Sequence, residues 1–298
     1  MDATRVLTCR GCGSAILEPI DSLGNFPYAN LFPSQIPDVW PTNRLALTVC
    51  RECSLCQLDI YPNLSELYLD YIWITSSSTF IHEYLDGLVD RLLSLSPEKY
   101  SKVVEIASND ATLLEKFDGH SNQLIGIEPA KNLATYYSGT NINLISDLFN
   151  SECVEKNQAL LSNSSLIIAR NVLAHVPDIN DFMRGIAILL KPSGFASIEF
   201  PHLLSLLSGN QFDTIYHEHY SYLSLGTVSR IAESVGLAVV DVEALPTHGG
   251  SLRVWLSHLG AVKQTLAMFS ILSDEKIAGL ETLNAYLSFQ QKAEAAKH

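Results

Sequence analysis

No Gly-x-Gly-x-x-Gly follows a strand-like run anywhere in the 298-residue chain, and Gly-Lys-Ser/Thr does not occur. The motifs of nicotinamide dinucleotide sites and of phosphate loops are thereby excluded. Basic residues are also scarce, 19 Lys and Arg against 32 Asp and Glu, for a net charge of −13. That balance argues against a broad nucleic-acid or anionic-membrane surface, though not against a local basic pocket for one phosphorylated ligand. Apolar runs are broken by charges, Gly or Pro before the roughly 18 residues a membrane-spanning helix needs. The start, Met1 to Arg5, lacks the basic flank and apolar run of a secretory signal. The expectation is a soluble, cytoplasmic protein with neither nucleic-acid nor membrane partner. Its thiols would stay reduced, so clustered cysteines suggest metal before disulfide.

A hydrophobic content of 47% with 17% charged residues describes a folded, core-forming chain, long enough for two domains or one large domain with an appendage. Five of the six cysteines fall early, at Cys9, Cys12, Cys50, Cys53 and Cys56. Cys9-x-x-Cys12 and Cys50-x-x-Cys53 each place two thiolates on a tight turn, and two such turns supply a closed tetrahedral zinc site. Redox knuckles and accidental spacing are the competing explanations. Cys56 either competes as a ligand or packs as a small hydrophobe. Pro27, Pro33, Pro37 and Pro41 suit a loop inserted between the knuckles. Four thiolates leave no open coordination position, so such a metal would hold the fold and do no chemistry.

Residues 64–95 read as helical or mixed, their aromatics suiting core or, less well, a pocket wall, around a Ser/Thr loop at 75–79. From Lys102 strands alternate with helices. Strands are predicted at Val103–Ile106, Leu124–Glu128, Ile142–Ile145, Leu166–Ala169 and Phe195–Phe200, with a helix over Asp178–Leu190 closed by Lys191–Gly194. Such repetition implies an α/β fold with a parallel sheet, whose ligands bind at the carboxyl ends of the strands. Glu105 and Glu128 close the first two strands, and a carboxylate in the second position can accept hydrogen bonds from both hydroxyls of a ribose. A cofactor with ribose and adenine but no pyrophosphate, such as S-adenosylmethionine, fits these features.

Further on, Asn171 and His175 follow the fourth strand, where His175 suits either a cavity wall or a satisfied cap or core histidine. Gln211–Ser224 packs two imidazoles, two carboxylates and three phenols into a dozen or so residues, either a solvated loop or an acid/base cluster. In an extended segment His217 and His219 would share one face, with Tyr216, Glu218 and Tyr220 on the other. A helix is expected at Thr227–Val235 and a strand at Ala238–Glu243. His248-Gly249-Gly250-Ser251 then forms either a hairpin turn or an amide-lined anion site backed by Arg253. From Val262 the pattern is helical, with Ile277, Leu280, Leu283 and Leu287 on one face.

Taken together, the two knuckles, Glu105–Asp110, Gly126–Ala130, Arg170–Asp178, Gln211–Ser224 and His248–Arg253 resemble the zinc-containing, S-adenosylmethionine-dependent C-methyltransferases that act at C3 of nucleotide-linked 4-keto-deoxysugars. The resemblance covers about residues 9–258. It implies a class I, Rossmann-like methyltransferase sheet at 64–260, a zinc-binding domain at 1–63 and a helical remnant of a C-terminal domain at 261–298. It assigns Glu105, Ala107, Asn109, Asp110, Glu128, Pro129, Asp147 and Asn171 to the donor, and Tyr216, Glu218, His219 and His175 to catalysis, with His219 as the base. Tyr71, Trp73, Asn171, His248 and Arg253 fall to a nucleotide-diphosphate sugar, and Cys9, Cys12, Cys50 and Cys53 to zinc. Ala107 and Ala111 stand where the family often has glycine, and Trp73 where it usually has tyrosine. Ala111 and the short C-terminus motivate a different expectation, a non-catalytic adapter, and a C-methyltransferase for another ketone is a further one.

Overall fold

The computed structural model describes residues 3–30, 39–64, 66–96 and 99–296. Pro33 and Pro37 of the expected inter-knuckle loop lie outside the described residues. In chain order the strands are β1 (Ala3–Arg5), β2 (Leu17–Pro27), β3 (Thr42–Cys50), β4 (Cys56–Leu58), β5 (Ile60–Pro62), β6 (Val103–Ile106), β7 (Leu124–Ile127), β8 (Ile142–Ile145), β9 (Ser164–Arg170), β10 (Leu190–Pro201), β11 (Ser221–Tyr222), β12 (Leu237–Leu245) and β13 (Ser251–His258). A seven-stranded sheet has the order β12-β13-β10-β9-β6-β7-β8. The chain runs outward from β6 through β7 to β8, then returns to the other side of β6 with β9, which puts the topological switch point between β6 and β9.

The chain divides into two compact units. One comprises Ser65–Arg170 and Asp181–Ile198. Its strands β6, β7, β8 and β9 are parallel, in register Val103↔Leu124, Leu124↔Ile142 and Val103↔Leu166. Every residue of β6 and β7 is buried, as expected for parallel strands covered on both faces. The turn expected at Lys191–Gly194 is instead the start of β10. A Cβ on Gly194 would lie 2.9 Å from the Ser164 carbonyl, so a bare backbone is needed for that close approach.

The other unit comprises Met1–Leu64, Asn171–Asn180 and Glu199–His298. Its four-stranded antiparallel sheet has the order β11-β4-β3-β2. β2 and β3 form a long hairpin from Leu17↔Cys50 to Pro27↔Thr42, and β4 lies beside β3. The far edge is supplied by β11 from the distant Gln211–Ser224 stretch, pairing Ser221↔Gln57 and Tyr222↔Cys56. Leu45, Leu47, Leu58, Leu206, Tyr222 and Phe289 belong to one core beneath this sheet. At the C-terminus the single apolar face read from the sequence is not formed. Gly279, at φ 81°, ends one helix (Leu266–Ile277) before the next (Asn284–Ala296), so Ile277 is 82% and Leu287 48% exposed while Leu280, Tyr286 and Phe289 are buried.

After β6 the chain alternates in and out of the left-handed region, at Ala107 (φ 55°), Asn109 (φ 53°) and Ala111 (φ 64°). Alanine therefore takes, with strain, a conformation that glycine adopts freely. Relief of that strain is partly offset by the greater freedom of glycine in the unfolded chain. Ala107→Gly is expected to stabilise the protein by about 0.5–1 kcal/mol, raising Tm by about 2 °C in thermal unfolding.

Candidate functional site

The four knuckle sulfurs all lie within 4.8 Å of one another, with Cys9 Sγ 3.4 Å from Cys53 Sγ and Cys12 Sγ 3.5 Å from Cys50 Sγ. Each knuckle is closed the same way, the Gly13 N–H donating to the Cys9 carbonyl and the Ser54 N–H to the Cys50 carbonyl. Both closing residues have positive φ, 77° and 62°. A thiolate set of this size and spacing fits zinc, whose bonds to sulfur are about 2.3 Å. The hydrogen bond with Cys53 pulls Cys9 down to about 5 against the opposing effect of burial, and pushes Cys53 up. Cys56 is fully buried within β4 and stands outside the group.

At the carboxyl ends of β6 and β7 the expected donor residues come together. Glu128 is buried, and its carboxylate accepts from the Asn109 N–H at 2.8 Å and the Ala130 N–H at 2.9 Å. Burial raises its pKa while these two donors oppose the rise, and each oxygen keeps lone-pair capacity for a further donor. Glu105 Oε2 is buried without a hydrogen-bond partner, and burial pushes Glu105 up to about 8 despite the nearby Arg170. Beneath them Tyr137 bonds Ser108 at 2.6 Å, over Gly126, where a Cβ would approach the Tyr137 ring to 2.8 Å.

Asn109 and Asp110 are committed to the chain itself. Asn109 Oδ1 accepts from the Thr75 N–H and hydroxyl, its amide donates to the Trp73 carbonyl, and Asp110 accepts from Ser76 N–H and Thr112. Tyr71 is held through its backbone by Asn132, a partner that carried no sequence signal, and the Trp73 side chain is 45% exposed. Pro129 and Asp147 are half-buried at the ends of β7 and β8, and Asp147 accepts from the Leu148 N–H.

In the other unit Tyr216 and His219 meet, by a route the sequence did not indicate. Strict alternation would have set them on opposite faces, but a turn closed by the His219 N–H donating to the Tyr216 carbonyl brings them to one side. His219 Nδ1 lies 3.1 Å from the Thr214 carbonyl, so Nδ1 carries the proton and Nε2, 2.9 Å from the Tyr216 hydroxyl, is the basic nitrogen. Burial, outweighing the Thr214 carbonyl, lowers His219 to about 4, with a further contribution from His248. The His175 ring stands edge-on at 4.7 Å, its pKa also lowered by desolvation. Asn171, at φ 51°, donates to His248 at 3.2 Å. Glu218 is buried, accepts from Asn30 at 2.8 Å, leaves Oε2 without a partner and is pushed up to about 6 by burial. His217 packs edge-on against Tyr28 and reaches the Asn43 carbonyl. Asn30, 188 positions from Glu218, could not have been found from spacing.

Arg253 does not join this cluster. It is buried, with Nη1 on Glu243 at 2.9 Å and Nη2 on Glu199 at 3.3 Å, so its charge is met within the fold. The His248–Gly250 turn is exposed at His248 and Gly249 but braced from one side: Gln211 donates to the Gly249 carbonyl, and a Cβ on Gly250 would lie 2.5 Å from Ser205 Oγ. A second buried cluster went unnoticed in the sequence. Glu275 accepts from the N–H groups of Leu225 and Gly226 at 2.6 and 2.9 Å, and lies 2.8 Å from His202 Nε2. It caps the helix Leu225–Ser234 from a remote segment, beside the local cap Ser224.

A family model described as "putative zinc binding domain" matches residues 9–68, a methyltransferase domain matches 78–242 and a C-methyltransferase C-terminal domain matches 246–298. The C-methyltransferase NovU of Streptomyces niveus is 32% identical over 293 residues, covering 97% of this chain and 70% of that protein. The chain belongs to the C-methyltransferases. Among solved structures, the PH0226 protein from Pyrococcus horikoshii OT3 matches at a TM-score of 0.50 and 13% identity, over 62% of this chain and 94% of that one, a likeness of fold. This C-methyltransferase is an enzyme, and its four clustered cysteines fit the zinc that the first of these domains implies. The unpartnered oxygen of Glu105 and the spare acceptor capacity of Glu128 suit a donor rich in hydroxyl and amine groups. Among the described residues no helix is long and apolar enough to cross a membrane.

Two outcomes follow for this methyltransferase. Metal analysis is expected to find about one zinc per chain, lost in the Cys9→Ser/Cys53→Ser double variant. For Glu218, the folded pKa of about 6 exceeds the ordinary carboxyl value of 4.5, so its contribution to stability is full below 4.5 and is lost as pH rises through 6. Glu218→Gln should therefore gain on the wild type by roughly 2 kcal/mol between about pH 4 and about pH 8. Urea denaturation at the two pH values measures the difference.

Proposed function

We propose that this C-methyltransferase transfers the methyl group to C3 of a nucleotide-linked 4-keto-deoxysugar, with His219 as the base. The observation that carries this proposal is the tautomer of His219. Its Nδ1–H is engaged by the Thr214 carbonyl, leaving Nε2 basic, and burial keeps the ring neutral. A C–H next to a ketone is a weak acid, so its removal needs a neutral base together with donors for the forming enolate oxygen. His219 Nε2 takes the C3 proton. The Tyr216 hydroxyl, now on Nε2, turns to the ketone oxygen, where the neighbouring His175 imidazole also donates. Glu218, steadied by Asn30, orients and polarises the cluster. S-adenosylmethionine, the proposed donor, would when bound supply a sulfonium methyl for the C3 carbanion, its S–CH3 bond breaking to leave S-adenosylhomocysteine, with positioning providing much of the acceleration.

In the unit carrying β6 and β7, Glu128 receives the ribose hydroxyls of the donor, with Glu105, Ala107, Pro129 and Asp147 around it. Asn109 and Asp110 contribute by shaping the loop. Asn171 and His248, in the unit that carries His219, are proposed to contact the acceptor. The commitment of Arg253 to Glu199 and Glu243 favours a second reading, a ketone acceptor that carries no diphosphate.

With S-adenosylhomocysteine bound, the wild type is expected to exchange the C3 proton of a dTDP-4-keto-6-deoxyhexose with solvent deuterium. His219→Asn should lower that rate by about 10²–10⁴-fold while the calorimetric affinity for S-adenosylhomocysteine is kept. Exchange that survives the substitution would reject His219 as the base.

A further inference from the structure

Arg10 stands between Cys9 and Cys12 of the first knuckle, and its side chain reaches Gln57, Tyr61 and Tyr220. Its backbone N–H and its Nε both donate to Gln57 Oε1, at 3.1 and 3.3 Å. Gln57 is the β4 residue that pairs with Ser221 of β11. The guanidinium carbon sits 5.2 Å from the Tyr61 ring centre and 5.5 Å from that of Tyr220. Nη1 and Nη2 are buried and make no hydrogen bond among the described residues. A desolvated guanidinium is costly unless something answers its charge, and here two π faces do so.

Both rings are fixed in turn. The Tyr220 hydroxyl donates to the Pro62 carbonyl, the Tyr220 carbonyl accepts from the Leu58 N–H, and Tyr61 and Tyr220 meet edge-on at 5.1 Å. The knuckle is held from behind by Asn180, whose amide donates to the Arg10 carbonyl at 2.7 Å and the Gly11 carbonyl at 3.0 Å. Tyr220 directly follows His219 in the chain. The knuckle is thus in contact, through Arg10, with the residue next to the proposed base.

We infer that Arg10 is a positioning residue, a cation clasped by Tyr61 and Tyr220 that couples the four-cysteine knuckle to the Tyr216–His219 turn. It belongs to neither the proposed donor set nor the proposed acceptor set. Its importance for turnover rests on the role proposed for His219, but the coupling itself does not. Lysine is a poor substitute, because a compact hydrated ammonium cannot spread between two rings while its stem donates to Gln57.

The test uses the full zinc-loaded chain and the variants R10M, R10K, Y220L, Y220F and R10M/Y220L. Zinc content, calorimetric affinity for S-adenosylhomocysteine, amide hydrogen exchange of residues 215–222 and C3 deuterium exchange are measured on each. R10M and Y220L are each expected to keep zinc and donor affinity while amide exchange over 215–222 accelerates by about tenfold or more. The double variant should exceed neither single one, since both remove one contact. Y220F, which keeps the ring but loses the bond to Pro62, should release 215–222 less than Y220L does, and R10K should resemble R10M. Removal of zinc by a chelator should release the same peptide.

Wild-type protection of 215–222 in R10M, or additive effects in the double variant, would overturn the coupling. If R10M loses its zinc, Y220L decides, because Tyr220 lies outside the knuckle: unchanged protection there also rejects the clasp. Absence of C3 exchange in the wild type would defeat the acceptor proposal, whereas the amide-exchange cycle would still judge Arg10.

Discussion

The pairing of Ser221 and Tyr222 with Gln57 and Cys56 is the contact on which the reactive cluster depends. A strand of two residues has almost no stability of its own. It holds because its own Tyr222 and the following Leu223 are buried, and because the turn before it reaches the N-terminal segment, His217 on Asn43 of β3 and Glu218 on Asn30 beyond the end of β2. The segment that follows the four cysteines thereby carries the strand next to the proposed base.

Burial acts on the cluster in a consistent direction. It lowers His219 and His175 and raises Glu218, so each group is moved toward its neutral form. A nearly uncharged cluster suits the proposed deprotonation, in which charge develops only as the proton leaves carbon. Hydrogen bonds to that new charge gain strength in a poorly solvated site. Elsewhere charge is retained but matched, as where Arg253 lies between Glu199 and Glu243.

Much of the architecture was legible because it follows from local pattern. Apolar runs at Val103–Ile106 and Leu124–Ile127 become parallel strands, and paired Cys-x-x-Cys turns become one four-sulfur group. The site was legible as a list of residues and not as a geometry. Tyr216 and His219 join through a turn that alternation does not predict, and Glu218 finds Asn30 across most of the chain. Arg253 looked available because sequence does not reveal that Glu199 and Glu243 close on it. The C-terminal helices misled for a local reason: the apolar period continues past Gly279, but the backbone does not.

The contact of Glu275 with the start of the helix Leu225–Ser234 has a temporal meaning as well. His202, Leu225 and Gly226, which bracket the reactive stretch, are gathered by one carboxylate 50 positions beyond Leu225. During synthesis, at about 5–20 residues per second, the reactive stretch emerges seconds before the group that secures its ends. Until Glu275 has left the ribosome, the nascent chain holds every proposed catalytic residue without the brace that closes the loop around them.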